Sequence, residues 1–426
     1  MTVRRALLAE LRGRERWLLV FDNAEDPAHV MPWLPGGSGH VLITTRTLGW
    51  DEVAAAVEVD RMRRDESVTL LRRRVQGLDA ADAGLIAAAV DDLPLAVAQA
   101  AAYLAGTGRP AAEYTAMVRE RAAEILSEGR PPSYPMSLAA VTQLAMDRLE
   151  ADSPAAAQVV RICAFLAPEP VPADWFKNAA AQLPRPLKAA AADPLAWGRV
   201  LARVSGQALA RTGPPGLLMH RLTQAVIRTS LTPGQAAETR ASAAALLTAS
   251  NPGDRDLPSI WPGWARLLPH LLALEPVTDD ALAALADNAV WYLVRRGVAR
   301  DALDLARQLY RNRLSQHGPD APRTLQAAHT LSAALSCSLS YAEARDLDED
   351  TLTRRRRVLG EDHPDTLQSA NSLAVDLSDL GEYQVARELC EDTLARRRRV
   401  LGEDHPDTLE SANNLAVDLS NLGEHQ

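Results

Sequence analysis

The chain has 426 residues, 46 of them basic and 55 acidic, for a net charge of −9. Hydrophobic residues make up 47% and charged residues 24%, a globular balance, and the length suits about three domains. The acidic excess argues against a nucleic-acid coat. No apolar run reaches the roughly 18 residues of a membrane span. Aromatics are only 4%, so the cores rest on Leu, Val and Ala, a composition that favours helices. Cys163, Cys337 and Cys390 lie far apart, with no CxxC. That spacing speaks against a zinc site or a disulfide framework and suits a reducing, cytoplasmic setting. No secretory leader is expected, because the apolar run Trp17 to Phe21 stops at Asp22.

In chain order, Ala6 to Glu15 predicts a short helix. Trp17 to Phe21 and Val41 to Ile43 are continuous apolar runs, the pattern of strands in a parallel sheet covered on both faces. Asp26-Pro27 opens the helix between them, and Val57 to Val59 suggests a third strand. From Asp65 to about Arg130 the pattern is helical, with Asp92-Leu93-Pro94-Leu95-Ala96 at a helix start. Arg130 to Pro135 reads as a linker. Ser137 to Leu166 gives two helices, Trp175-Phe176 opens a further segment, and Pro194 to Val204 is helical. Gln207 to Arg211 and Leu217 to His220 flank Gly213-Pro214-Pro215-Gly216, which predicts a β-hairpin. Helices followed by one hairpin outline a winged-helix module. Trp261 to Leu274 is a further helix containing Pro269.

The C-terminal third repeats. Arg354 to Gln384 and Arg396 to Gln426 align at a spacing of 42 with four differences in 31 positions: Gln368/Glu410, Ser372/Asn414, Asp379/Asn421 and Tyr383/His425. Gly318, Pro322, Thr324 and Leu325 stand 42 before Gly360, Pro364, Thr366 and Leu367. A fixed period of this length predicts a helical solenoid. Within a unit, Asp365 is expected to cap a helix, with Gln368 completing a capping box. Leu367, Ala370, Leu373, Ala374 and Leu377 form its apolar face, Gly381 ends it, and Ala386, Leu389 and Leu394 mark the partner helix. Neither helix buries its face alone, so units must stack.

Several residues are candidates for chemistry. Asp22 and Arg46 each end an apolar strand, at the edge where open α/β sheets bind ligands. A carboxylate there can support Mg²⁺, and an arginine can meet a terminal phosphate. The alternative is a strand-end cap and a surface arginine. Arg354 to Arg357 and Arg396 to Arg399 are read as solvated helix faces, because Asp350 and Asp392 precede Arg354 and Arg396 by four residues. His363 and His405 are read as turn residues. The segment from Pro194 to Arg211 has no basic run, so the hairpin region is read as structural rather than DNA-binding.

Leu18 to Asp26 resembles the Walker B segment of bacterial NB-ARC proteins, signal-transduction ATPases of the STAND type, and His40 to Arg46 resembles their sensor strand. Asp92 to Ala96 is similar to the family's GLPLA motif, and Met219-His220-Arg221-Leu222 to its MHD motif. The C-terminal units resemble the 42-residue tetratricopeptide units of kinesin light chains. The resemblance implies a mostly α fold with a partial α/β P-loop-type nucleotide-binding layer (1–64). A helical domain (65–130), a winged-helix-like domain (136–232), a helical linker (233–280) and an α-solenoid of tetratricopeptide repeats (281–426) follow. It implies an ADP/ATP switch with Mg²⁺, in which Asp22 supports the ion, Arg46 senses the γ-phosphate, Pro94 packs near adenine and His220 touches the ADP phosphates. The repeats would bind a protein partner, with self-association as a further expected contact and no membrane partner.

The sequence departs from the pattern. Asn23 stands where many relatives have a second acid, Asp92 replaces the motif Gly, and Arg221 replaces the motif Asp. A P-loop needs GxxxxGKS or GxxxxGKT, but no lysine precedes Lys177. Gly36-Gly37-Ser38-Gly39 lacks the lysine and the following helix. The chain is therefore expected to be a fragment of a longer protein or a decayed gene product, with an incomplete last repeat, no tightly bound nucleotide and no enzymatic activity as it stands. Two alternatives remain: a non-catalytic repeat scaffold, and the sensor half of a transcriptional regulator.

Overall fold

The computed structural model describes residues 2–24, 26–45, 50–57, 59–128, 136–253 and 257–423. It divides into two units, Met1–Ala249 and Ser250–Gln426.

The first unit opens with α1 (Thr2–Arg12), β1 (Leu18–Ala24), α2 (Pro27–Val30) and β2 (His40–Thr45). The two strands pair in parallel, Leu18 opposite His40 through Phe21 opposite Ile43. Asp26 starts α2 as expected: its carboxylate accepts the Ala28 N–H at 2.8 Å, and Pro27 fills the first helical position. Two expectations need correction. The layer is not covered on both faces. Among the described residues its sheet has two strands, and side chains alternate between faces. Leu18, Val20 and Leu42 are therefore exposed, while Leu19, Phe21, Val41 and Ile43 are half-buried. Val57 and Val59 are in no strand and are more than four-fifths exposed, at 84% and 86%; Glu58 lies outside the described residues. A short Val-Glu-Val pattern has no stability without an edge to pair with.

Helices α3 (Arg64–Arg74), α4 (Ala80–Ala89), α5 (Pro94–Thr107), α6 (Ala111–Glu120) and α7 (Ala122–Ile125) follow. Next come α8 (Leu138–Asp152), α9 (Pro154–Phe165), α10 (Ala173–Asn178), α11 (Leu187–Ala192) and α12 (Pro194–Gly206). The hairpin β3 (Arg211–Gly213) and β4 (Gly216–Leu218) then leads into α13 (Arg221–Ser230) and α14 (Pro233–Ala249). Leu71, Ile86, Val97, Leu104, Tyr114 and Leu126 form a core that Leu222 and Val226 of α13 complete. The expected linker at 130–135 lies outside the described residues. Its flanks are tied by buried Gln99, whose amide donates to Leu126 O at 3.0 Å and Glu128 O at 3.1 Å and accepts from Leu138 N at 2.8 Å.

The hairpin strands sit closer to the turn than expected, because Gly213 pairs directly with Gly216. His220 thereby leaves the strand. Gly216 has φ +129°, and a Cβ there would lie 2.2 Å from Val171 O. The absent side chain lets β4 exchange two backbone hydrogen bonds with Val171, at 2.8 and 2.9 Å.

The second unit contains α15 (Trp261–Ala273), α16 (Asp280–Arg295) and α17 (Ala299–His317), followed by α18 (Pro322–Cys337) and α19 (Tyr341–Leu359). It continues with α20 (Pro364–Asp379), α21 (Tyr383–Leu401) and α22 (Pro406–Asn421). The 42-residue period is a succession of antiparallel helix pairs, with Pro322, Pro364 and Pro406 at equivalent helix starts. The apolar face reads as expected: Ala370, Leu373 and Leu377 of α20 pack with Leu352 of α19 and with Ala386 and Leu389 of α21. The cap is His363 rather than Asp365. With Pro364 holding the first helical position, the preceding residue is the cap, and His363 Nδ1 accepts the Asp365 N–H at 3.2 Å. His405 repeats this at Asp407.

Only part of each arginine run is a solvated face. Arg354 and Arg396 pair with Asp350 and Asp392 at 2.7 and 2.8 Å, as expected. Arg355 and Arg397, by contrast, are buried, at 2% and 1% exposed. Arg355 donates to Asp365 O at 2.7 Å and Ser369 Oγ at 2.9 Å on the next helix. Arg397 does the same to Asp407 O at 2.6 Å and Ser411 Oγ at 2.8 Å, and reaches Gln368 Oε1 at 2.7 Å. Among the described residues no helix is long and apolar enough to cross a membrane.

These bonds predict a sharp contrast within one arginine run. Arg355→Ala leaves a buried carbonyl and hydroxyl without their donor and is expected to destabilise the repeats by about 2–3 kcal/mol. Arg357→Ala, on the exposed side, should change stability by less than about 0.5 kcal/mol. Urea unfolding followed by circular dichroism distinguishes the two; equal shifts would contradict the assignment.

Candidate functional site

Four residues were singled out by sequence: Asp22, Arg46, Pro94 and His220. Asp22 lies on β1, exposed, and its Oδ1 accepts a hydrogen bond from Thr44 Oγ1 at 2.6 Å. The parallel register places the two strand ends side by side, so Asp22 occupies the carboxyl edge of the pair. Arg46 lies outside the described residues.

Pro94 and His220 belong to one neighbourhood, and Asp91 is its centre. Helix α4 ends in two successive left-handed residues, Asp91 (φ 55°) and Asp92 (φ 54°). Asp tolerates this region better than most residues because it is short and can hydrogen-bond locally. The turn closes with Asp92 N donating to Ala87 O at 3.0 Å, and two residues later Pro94 begins α5. The turn directs both carboxylates towards basic partners. Arg64 grips Asp92 with Nε at 3.0 Å and Nη2 at 2.7 Å. Burial opposes the Asp92 charge, but the Arg64 hydrogen bonds, with the nearby Ser67 hydroxyl, prevail and hold the carboxyl below the usual carboxylate range.

Asp91 Oδ2 accepts from Arg61 Nη1 at 2.7 Å and lies 2.8 Å from His220 Nε2. His220 is the cap of α13, and its Nδ1 accepts the Leu222 N–H at 3.2 Å. That bond leaves the neutral ring's proton on Nε2, facing Asp91. Arg221 donates to Ala88 O and, at 3.2 Å, to Ala89 O, capping α4. The segment holding Pro94 and the segment holding His220 are thus joined by a hydrogen-bonded and ionic cluster. Burial is the main influence on His220 and lowers its proton affinity; Asp91 pulls the other way, and Arg61 and Arg221 oppose protonation.

Sequence reading missed Asp91, Arg61 and Arg64. The available signal was the Asp91-Asp92 pair directly after an apolar helix end, which has no place in a helix interior. Among the described residues no group of His, Cys, Asp and Glu is arranged to hold a metal ion. Cys163 and Cys390 are buried free thiols, both pushed up to about 12 by burial, Cys390 also by Asp418.

A histidine whose proton affinity is lowered in the fold contributes stability that is present above its ordinary value, about 6.5, and is lost as the pH falls below it. Hydrogen-exchange protection of the α13 amides, corrected for intrinsic rates, should therefore fall as the pH drops from neutral towards 5. In Asp91→Ala the fall should be steeper, because the one anion that accommodates the charged ring is gone. In His220→Gln it should largely vanish. A profile unchanged by both substitutions would remove His220 from the account.

The tetratricopeptide repeat family model matches residues 324–365 and 366–407. The C-terminal region therefore contains tetratricopeptide repeats. No curated protein matches the chain. A Podosopora anserina putative kinesin light chain structure with nearly identical TPR-like repeats is 23% identical. The match covers 39% of this chain and 80% of that one, with a TM-score of 0.33. A STAND protein with a tetratricopeptide repeat sensor from Pyrococcus horikoshii is 12% identical over 98% of this chain and 73% of that one, with a TM-score of 0.27.

Proposed function

We propose that the chain is a regulatory protein of the signal-transduction ATPase type whose repeats bind a protein partner. The observation that carries this reading is the 42-residue array itself. Successive helices α18, α20 and α22 carry Ala333, Val375 and Val417 at equivalent positions. Val375 and Val417 are 37% and 48% exposed, Val375 lying between the buried Ala374 and Asp376. Equivalent positions of stacked helices align, so these side chains form an apolar stripe suited to an extended segment of another protein.

The switch half of the proposal rests on the motif resemblance. Its supports are Asp22 at the carboxyl edge of the strands, and the cluster that joins the Pro94 turn to His220. The hairpin β3–β4 and helix α13 would be the winged-helix-like part that responds to nucleotide. The fit to a Mg-nucleotide is incomplete. Asp22 brings a carboxylate and Thr44 a hydroxyl, but the sequence contains no phosphate-cradling loop with its lysine. Phosphate affinity in such sites comes mainly from that loop's amides and lysine. No hydrolytic step follows from these residues.

Two measurements test the halves separately. A photo-crosslinker at Val375 or Val417 should capture a protein partner in cells, whereas one at Leu195, 74% exposed in the first unit, should not. The adduct should disappear in the Val375→Glu/Val417→Glu variant; an adduct indifferent to that change would refute the stripe. Calorimetry with Mg-ADP should give millimolar or undetectable binding for this chain. A micromolar dissociation constant abolished by Asp22→Ala would overturn the incomplete-site reading.

A further inference from the structure

Two carboxylates are buried where the units 324–365 and 366–407 meet. Asp348 on α19 is fully buried and Asp376 on α20 is 2% exposed. Their charges repel each other. From α18, Ser336 Oγ donates to Asp376 Oδ1 at 2.6 Å, while both Asp348 oxygens and Asp376 Oδ2 are buried without a hydrogen-bond partner. The nearby cation is Arg355, whose guanidinium is engaged by Asp365 O, Ser369 Oγ, Leu325 O and Gln326 Oε1. Asp379 of α20 adds a further negative charge near Asp376. Helix α21 adds Ala386 and Leu389 to the apolar cluster around Leu352, and its Arg387 pairs with Glu391 of the same helix.

Burying two like charges with a single hydroxyl hydrogen bond to satisfy them is expensive, and a single proton removes both the repulsion and much of the desolvation cost. The repeat register shows that the position is particular to this unit. Forty-two residues earlier the same two positions are Ala306 and Ala334; forty-two later they are Cys390 and Asp418. The fold therefore tolerates an apolar pair, an acid pair or a thiol–acid pair here, and the acid pair occurs once.

We propose that Asp348 and Asp376 form a proton-dependent clasp between these two repeat units, closed while at least one carboxyl is protonated and loosened when both are ionised. Ser336 makes the clasp mechanical: its hydrogen bond ties α18 to α20, the first helices of two successive units, so the state of Asp376 bears directly on how they pack. Burial and then the Asp376 charge place Asp348 well above the usual carboxylate range. Burial also pushes Asp376 up to about 6, with Asp379 adding to the effect and the Ser336 hydroxyl opposing it. A carboxyl raised in the fold contributes stability that is full below its ordinary range and is lost as the pH rises through its folded value. Acid therefore tightens the junction, and the loosening sets in as the pH rises past about 6.

Hydrogen exchange of the full chain, corrected for intrinsic rates, tests this. Protection of the α18, α19 and α20 amides should fall by roughly tenfold or more between about pH 5.5 and pH 8. It should fall less than about twofold in Asp348→Asn/Asp376→Asn, whose amides cannot ionise. Asp418→Asn, one unit away, should keep the wild-type profile. Asp348→Cys, which supplies the residue found at the next unit, should shrink the drop. A flat wild-type profile overturns the clasp whatever the variants do, and so does a drop that survives the double substitution or disappears with Asp418→Asn.

Discussion

The repeats depend on one buried arginine per turn of the array. Arg313, Arg355 and Arg397 recur every 42 residues, and each leaves its own helix to bond another: Arg313 to Asp287 and Ala283 O, Arg355 to Asp365 O and Ser369, Arg397 to Asp407 O and Ser411. The apolar faces around them consist of Ala and Leu, which pack in many registers at similar cost. A guanidinium has a fixed fork of donors, and once buried its terminal amino groups need acceptors at set positions. It therefore selects the helix offset at which its acceptors coincide, a carboxylate and a carbonyl for Arg313 and a carbonyl and a serine hydroxyl for Arg355 and Arg397. Around this lock stand Arg354 and Arg357 on Asp320, and Arg396 and Arg399 on Asp362, which fasten the turn at the unit boundary from the solvent side. Such exposed pairs are individually weak; the buried arginine sets the geometry they follow.

The first unit uses polar groups differently. Asp91 and Asp92 occupy left-handed backbone, an arrangement that costs free energy for any residue with a Cβ. The return is a turn that points two carboxylates out of the end of α4 towards Arg61, Arg64 and His220. Leu222 and Val226 bury α13 in the core of α3 to α7, and this packing holds His220 against Asp91. Packing places the histidine, and the strained turn places its anion.

Much of this was legible in the sequence, for identifiable reasons. The helical hairpins follow from a 42-residue period with apolar residues at helical spacing, a signal repeated often enough to outweigh local ambiguity. The two parallel strands were marked by their apolar runs, and the hairpin around Gly213 to Gly216 by its turn residues. What failed depended on neighbours. Continuous apolar strands imply cover on both faces, yet Leu18, Val20 and Leu42 are exposed. Whether a sheet face is buried depends on other elements, which the strand's own residues do not specify. The four-arginine runs look like solvated faces because each contains a good Asp–Arg pair at i,i+4. The second arginine, however, continues the inward stripe of Asp348, Thr351 and Leu352 at helical spacing. Read with the 42-residue period, that stripe would have placed Arg355 inside. His363 directly precedes Pro364, and a proline at the first helical position makes the residue before it, not Asp365, the cap.

Near-identity between successive units creates a difficulty that the buried polar groups answer. From Arg354 and Arg396 onward the two units are almost the same, so apolar contacts alone do not discriminate which first helix should follow which second helix. A chain with interchangeable interfaces is prone to pair its repeats out of order. The arginine lock does not prevent this, because both copies carry it. The difference lies earlier in the second helices, where Asp348 faces one way of packing and Cys390 another. Asp348 faces the charge of Asp376 on α20, whereas Cys390 faces that of Asp418 on α22. An exchanged partner would move an acid into a setting built around a thiol or a methyl group, where Ala374 stands in place of Ser332. The same acid pair that makes the junction sensitive to protons also distinguishes it from its neighbours.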